Sequence, residues 1–486
     1  MPRPLVAARE QSDRSWLFLL VLALLFFYPV WPVFIEKKFG PLPALTPQKV
    51  LNYLLIGMVL LQAAFDRNFT KRFFLRLDAA RGLVGCLVAY FAWRLLAVAF
   101  SIQPFYAFKF FQYDLLTTAL LFVAVVAALP ERINLKWVYR AMFAAVAVVT
   151  ALAIAEGIVG KNLLERFQDA QKLTLALIDK IREGERRAQS VFASPLMLAQ
   201  FCSVLLPFLW VAFRRPSSKL AATLIALLMA GCLAGIYLSR TRSALVVVLL
   251  AGGLALFFAW RRFMSDRRRN GVLRLAMGFY GGLCILLAGV LVVWALLGMA
   301  RGLSIKQVLG FGDRSVTLYQ GGSDARVTQL KMAWPKIVES PLVGYGDNIG
   351  GFKVGFVGSD GMLTLDSYLL RQTVDSGVPS LLFLLGAVTL AVRLALQVAR
   401  QAKLAGQFEV QDFAQASAAF FLGCLIFLIS SPLTEMVPYF FMVMGVVLCL
   451  RARQVAEAKA LAGQPWAKAG ATTAGIGLTK PQVSQA

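Results

Sequence analysis

Histidine is absent from all 486 residues, which excludes imidazole metal ligands and histidine general bases from any account of the chemistry. Charge is scarce as well. Only 15% of residues are charged, where soluble domains carry about 25%, and acids are outnumbered, with 25 Asp plus Glu against 50 Lys plus Arg. The cysteines number six (Cys86, Cys202, Cys232, Cys284, Cys424 and Cys449), all inside apolar runs and without the spacing of a disulfide framework or a metal knuckle. What remains is apolar: 59% of residues are hydrophobic and the mean hydropathy is +0.70.

Runs such as Trp16 to Ile35, Ser243 to Trp260 and Val272 to Ala300 are long enough for a hydrocarbon core that takes about 20 helical residues. The first run is too long for a signal-peptide core and ends in Trp31, Pro32 and Glu36 without a small-residue cleavage site, so it is expected to stay as an anchor. The fold class is therefore all-α: a polytopic membrane protein of about twelve transmembrane helices. The spans begin near residues 16, 47, 81, 113, 137, 190, 218, 243, 272, 378, 411 and 434.

The formal charge of +25 would raise nucleic acid as a partner in a soluble protein. Here the basic residues gather at helix ends, so membrane lipids are expected and nucleic acid is not. They crowd the N-terminus (Arg3, Arg9, Arg14) and alternate connections: Arg67 to Arg76, Arg132 and Lys136, Arg214 to Lys219, Arg261 to Arg269, then Arg451 and Arg453. The positive-inside rule makes that face cytoplasmic, with both termini on it. The opposite face carries two long connections, 160–189 and 301–375. Mixed charges around Leu173, Leu175 and Leu177 suggest a surface helix in the first. Residues 1–460 form the transmembrane domain and 461–486, rich in Ala, Gly, Thr and Gln, a disordered cytoplasmic tail.

Ser239-Arg240-Thr241-Arg242-Ser243 places two arginines on the face where positive charge is unexpected, at the N-terminus of a span. Two guanidiniums beside unpaired helix N–H groups make an anion site, and arginine suits phosphate; snorkelling to headgroups is the plain alternative. In the large loop, Ser323-Asp324-Ala325-Arg326 opens an amphipathic helix with the apolar stripe Val327, Leu330, Trp334 and Ile337. Arg326 in its first turn is a second half of one anion site, or an exposed arginine on a solvated face. Asp366 is a carboxylate that is either a general base or the N-cap of the following helix. The intramembrane charges Arg94 and Glu156 must face a polar cavity or each other. Tyr345, Tyr368 and Arg371 join them as further cavity candidates.

Three stretches together resemble the O-antigen ligase and Wzy-type polymerase superfamily, over roughly residues 235–400. These are Ser239 to Leu245, Arg326 through Trp334 to Pro341-Leu342-Val343-Gly344-Tyr345-Gly346, and Asp366-Ser367-Tyr368-Leu369 with Ser376-Gly377-Val378-Pro379. The resemblance implies a GT-C-like, all-helical, multi-pass glycosyltransferase of the bacterial inner membrane, working on the periplasmic face without a cofactor or metal. It implies an undecaprenyl-diphosphate-linked oligosaccharide as donor, held by Arg242 and Arg326 with Arg240. The acceptor is a glycan or the lipid A core, and a chain-length regulator is a possible partner. Asp366 stands where family members carry histidine, and that departure leans the reading toward a polymerase of surface or exopolysaccharide repeat units. A ligase is the alternative, and a lipid-linked glycan transporter is the reading from another class.

Overall fold

A computed structural model describes residues 16–32, 35, 45–164, 167, 181–182, 185–241, 243–249, 253, 323–356, 365–430 and 436–462. The elements are α1 (Trp16–Val30), α2 (Pro47–Phe65), α3 (Arg67–Asp78), α4 (Arg81–Ala99), α5 (Pro104–Ala128), α6 (Leu135–Val159), a two-residue antiparallel pair of strands (Ile181–Arg182 with Glu185–Arg186), α7 (Pro195–Phe213), α8 (Lys219–Ser239), α9 (Ser323–Glu339), α10 (Gly350–Val354), α11 (Tyr368–Leu404), α12 (Phe408–Ser430) and α13 (Val437–Ala462). Among the described residues nine helices are long and apolar enough to cross a membrane: α2, α4 to α8 and α11 to α13. The architecture is thus an all-α, polytopic membrane protein. The spans expected near 243 and 272 fall outside the described residues apart from a helical stretch at 243–249. So do most of loop 160–189, including its expected surface helix, residues 301–322, and the tail beyond 462.

Local sequence sets where helices begin. Thr46 accepts the Lys49 N–H ahead of Pro47, Ser194 accepts the Met197 N–H ahead of Pro195, and Asn134 and Ser218 cap α6 and α8 in the same way. Asp66 serves two helices, ending α2 and accepting the Asn68 N–H of α3. The fourth span starts earlier than hydropathy suggests, at Pro104 instead of near 113. It contains a π turn at Leu115–Ala119, the kind of irregularity common at functional sites.

The helices pack as one bundle: α11 lies against α4 and α12, α7 against α8 and α12, α1 against α6, and α13 against α5. Phe208, Phe413, Phe420 and Tyr439 form an aromatic seam between α7, α12 and α13. The basic connections meet on one face. There Arg76 donates to the last carbonyls of α5, Val126 at 2.7 Å and Ala127 at 3.2 Å, and Arg215 pairs with Asp412 at 3.3 Å. The other ends of the same helices converge on the opposite face.

On that opposite face α11 breaks. Gly377 has φ 77° and ψ 173°, a backbone region open essentially to glycine alone, and a Cβ there would collide with the Leu342 carbonyl. Gly377→Ala should therefore cost about 1–3 kcal/mol in strain alone, more once the collision is counted. Its expected result is a lowered unfolding midpoint for the detergent-purified protein, and an unchanged midpoint would show that this docking adds no stability.

Candidate functional site

The break in α11 receives a loop from 29 to 37 residues upstream. Tyr345 N–H donates to Val374 O (3.1 Å), Gly346 N–H to Asp375 O (2.7 Å) and Val378 N–H to Pro341 O (2.8 Å). Pro341 to Gly346 and Asp375 to Pro379, two separate motifs in the sequence, are thus one backbone unit. Contacts from α4 and its C-terminal turn clamp it from outside: Trp93 Nε1 donates to Leu342 O (2.9 Å) and Ser101 Oγ to Tyr345 O (2.7 Å). Gly346, at φ 104°, is where this clamp requires glycine, because a Cβ would run into Ser101.

The unit delivers two carboxylates. Asp347 takes Arg94 through both oxygens, Nε to Oδ1 at 3.2 Å and Nη2 to Oδ2 at 2.8 Å, and also the Ser376 hydroxyl at 3.2 Å. Arg94 Nη2 reaches Asp114 Oδ2 at 2.8 Å as well. Arg94 and Asp347 are each 4% exposed and Asp114 is 40% exposed. Burial raises the Asp347 carboxyl above its usual range, and the Arg94 guanidinium pulls it back. Asp375 accepts the Gly350 N–H at 2.7 Å and the Asn348 N–H at 3.1 Å, with Arg371 Nε 3.5 Å away. Arg371 also donates to the Asn348 side chain.

These groups line a cavity of about 460 Å³ on the face opposite the basic connections. Gln48 and Lys49 come from the start of α2, Trp31 from just past the end of α1, Asp114 from immediately before the π turn of α5 and Thr118 from within it, Arg371 and Tyr368 from α11. The π turn has its freed carbonyls answered: Asn52 Nδ2 donates to Leu116 O (3.0 Å) and Thr118 Oγ1 to Asp114 O. The cavity volume is within the range of small-molecule sites, about 300–1,000 Å³.

The candidate residues fare differently. Arg94, Tyr368 and Arg371 line the cavity. Glu156 does not, and it does not meet Arg94: its Oε2 accepts the N–H groups of Gln189 (3.1 Å) and Ser190 (2.6 Å). Tyr345 turns away, its hydroxyl donating to Lys336 O at 3.2 Å. Asp366 is not the cap of α11; Ser367 is, accepting the Leu370 N–H at 3.3 Å. Instead the Asp366 N–H donates to Gln329 Oε1 at 3.0 Å, which ties it to α9 one turn beyond Arg326. The stripe Val327, Leu330 and Trp334 is exposed, while Gln329, Ala333 and Ile337 form the buried face of α9. The buried Gln329 has its Oε1 answered by the Asp366 N–H.

Arg240 ends α8 in the left-handed conformation, φ 51°, and Arg242 lies outside the described residues. The Ser239–Thr241 turn is braced by Arg187, which donates to Ser239 O (2.8 Å) and Thr241 Oγ1 (3.1 Å). Five residues on, Phe192 lines the cavity, so one short segment touches both places. Sequence reasoning passed over Gln48, Asp114, Asp347 and Arg187. Asp114 had a usable signal, as an acid within an apolar span.

Residues 224–385 match the family model described as O-antigen ligase. This stretch runs from α8 to the middle of α11 and holds every motif on which the resemblance rests. It supports the O-antigen ligase and polymerase superfamily, and with it an enzyme of the glycan-transferring type in general. No curated protein matches the chain.

Removing one partner of a buried ion pair strands the other, at about 3–5 kcal/mol. Asp347→Ala and Arg94→Ala should each depress the thermal midpoint strongly, whereas the double variant Arg94→Met with Asp347→Leu should recover much of the loss. Additive losses in the double variant would mean that the two side chains act independently.

Proposed function

We propose that the protein transfers a glycan from undecaprenyl diphosphate to a sugar hydroxyl, with inversion and without a metal, on the periplasmic face of a bacterial inner membrane. Residues 1–460 form the transmembrane transferase unit, with both termini cytoplasmic. Repeat units of a surface or exopolysaccharide are the preferred substrate, which makes the enzyme a polymerase; transfer to lipid A core is the ligase alternative. The observation that carries the reading is the docked unit of Pro341–Gly346 on Asp375–Pro379. Two motifs shared with the matched family fold together as the floor of a polar cavity, at the helix ends where a flipped lipid-linked donor arrives.

The chemistry follows from residue types. The acceptor oxygen attacks the anomeric carbon from the face opposite the diphosphate. The bond from that carbon to the phosphate oxygen breaks, its electron pair leaves with the diphosphate, and the hydroxyl proton passes to a base. Arg242 and Arg326, with Arg240, hold the diphosphate and stabilise the charge that grows on it. Asp366 takes the proton or orients the hydroxyl. Two contacts support this arrangement: Arg187 fixes the Ser239–Thr241 turn, and Gln329 fixes Asp366 against the helix that carries Arg326.

In a deletion strain complemented in turn with each variant, Arg242→Ala and Arg326→Ala should abolish long glycan chains while the protein inserts normally. Arg242→Lys should rescue poorly, because the bidentate fork is lost. Single repeat units on the final acceptor would mark a polymerase, and full-length chains stranded on the lipid carrier a ligase. Wild-type glycan in both alanine variants would overturn the diphosphate assignment. For Asp366→Asn, a fall of about 10²-fold or more in turnover is expected of a lost general base, and near-normal turnover would remove Asp366 from the chemistry.

A further inference from the structure

The cavity and the three arginines assigned to the diphosphate differ in what they present. Within the cavity, the cations are already engaged. Arg94 is 4% exposed and bound by Asp114 and Asp347; Arg371 is held between Asn348 and Asp375; Lys49 lies 5.7 Å from the centre of the Tyr113 ring. Three carboxylates stand against these three cations, so the cavity offers a phosphate no net positive charge. Two acceptors on the cavity wall remain to be answered. Asp114 is 40% exposed with one oxygen given to Arg94. Gln48 is 5% exposed, and its Nε2 is committed to Trp31 O at 2.8 Å. Its Oε1 is buried with no hydrogen-bond partner.

A buried acceptor without a donor is costly, and on a cavity wall it marks where a ligand donor belongs. Phosphate and carboxylate groups bring acceptors only at neutral pH, whereas a sugar hydroxyl or an acetamido N–H donates. The rings of Trp31, Tyr113 and Tyr368 supply apolar wall between the polar groups, the mixture that a sugar ring with C–H faces and a hydroxyl rim requires. We infer that this cavity seats an uncharged sugar of the glycan, held through hydroxyl or acetamido donors on Asp114 and Gln48, and that the diphosphate is held elsewhere. The inference rests on the proposed glycan transfer for its setting and adds the substrate class: neutral sugars, not uronic acids.

The test uses the full-length protein in lipid nanodiscs and saturation-transfer NMR, with methyl glycosides of neutral hexoses and N-acetylhexosamines, methyl glucuronide and inorganic pyrophosphate as probes. At least one neutral glycoside should receive saturation. Binding should weaken about tenfold or more in Asp114→Ala, the loss expected for one charge-assisted hydrogen bond, and in Gln48→Leu. Asp114→Asn keeps the volume and decides the matter if the alanine variant aggregates. Saturation of no neutral glycoside, equal saturation in wild type and all three variants, or displacement of the glycoside by glucuronide or pyrophosphate would each overturn the inference. No lipid-linked donor is present, so the two readings fail separately: glycoside binding lost in Asp114→Ala, together with normal glycan in Arg242→Ala and Arg326→Ala cells, would keep the sugar seat and remove the donor assignment.

Discussion

A guanidinium buried in an apolar helix bundle must find countercharge, and in this protein that requirement organises the whole outer end. Arg94 sits near the end of α4 at 4% exposure, where an unanswered charge would be prohibitive. Its partners come from different parts of the chain, Asp114 from just before the irregular turn of α5 and Asp347 from 253 residues downstream. The second contact matters most, because Asp347 can reach Arg94 only if the loop before it lies flat on the broken start of α11. One ion pair therefore links the fold of the early spans to the placement of the late motifs.

The loop's backbone is handled with equal economy. Irregular chain at membrane depth survives only where protein or a water-filled space answers its polar groups. Here the N–H groups of Tyr345, Gly346 and Val378 are answered across the docked unit, and those of Asn348 and Gly350 by Asp375. Asp375 is thus a carboxylate used as a backbone cap. Bound by two N–H groups and facing Arg371, it closes the floor of the cavity and holds Asn348 in its left-handed conformation, φ 64°.

How much of this was legible in the sequence follows the range of each interaction. Span positions and helix starts are local matters of hydropathy and capping, and Thr46-Pro47, Asn134, Ser194-Pro195 and Ser218 mark helix starts as written. Arg94 was recognisable as a charge in need of a partner, but nothing local says which acid supplies it. Glu156 misled for the opposite reason: the rule that buried charge seeks opposite charge overlooks backbone N–H groups, which Gln189 and Ser190 provide. Asp114 escaped because a span begun at 113 puts it at a terminus, where a carboxylate is cheap. With the helix starting at Pro104 it lies well inside, and its cost demands a reason. The resemblance in the late region correctly singled out the stretches that dock together, but not their docking, since glycines and a proline announce a turn and not its partner.

The division of charge across the outer face gives the geometry its functional sense. Arg240 ends α8 and Arg326 lies in the first turn of α9, whereas the cavity between α2, α5 and α11 neutralises its own cations with aspartates. A transferase working on lipid diphosphates must attract the same strongly charged leaving group from every donor, yet distinguish one sugar from another. In the proposed reading, arginines that hold the diphosphate and a charge-balanced cavity that reads the sugar separate these tasks. Tight diphosphate binding then need not swamp the weaker hydrogen bonds that read the sugar. Arg187 touches the Ser239–Thr241 turn and Phe192 the cavity, so one short segment spans the spacing between the two regions. That spacing is what a reaction between an anomeric carbon and a hydroxyl must hold constant.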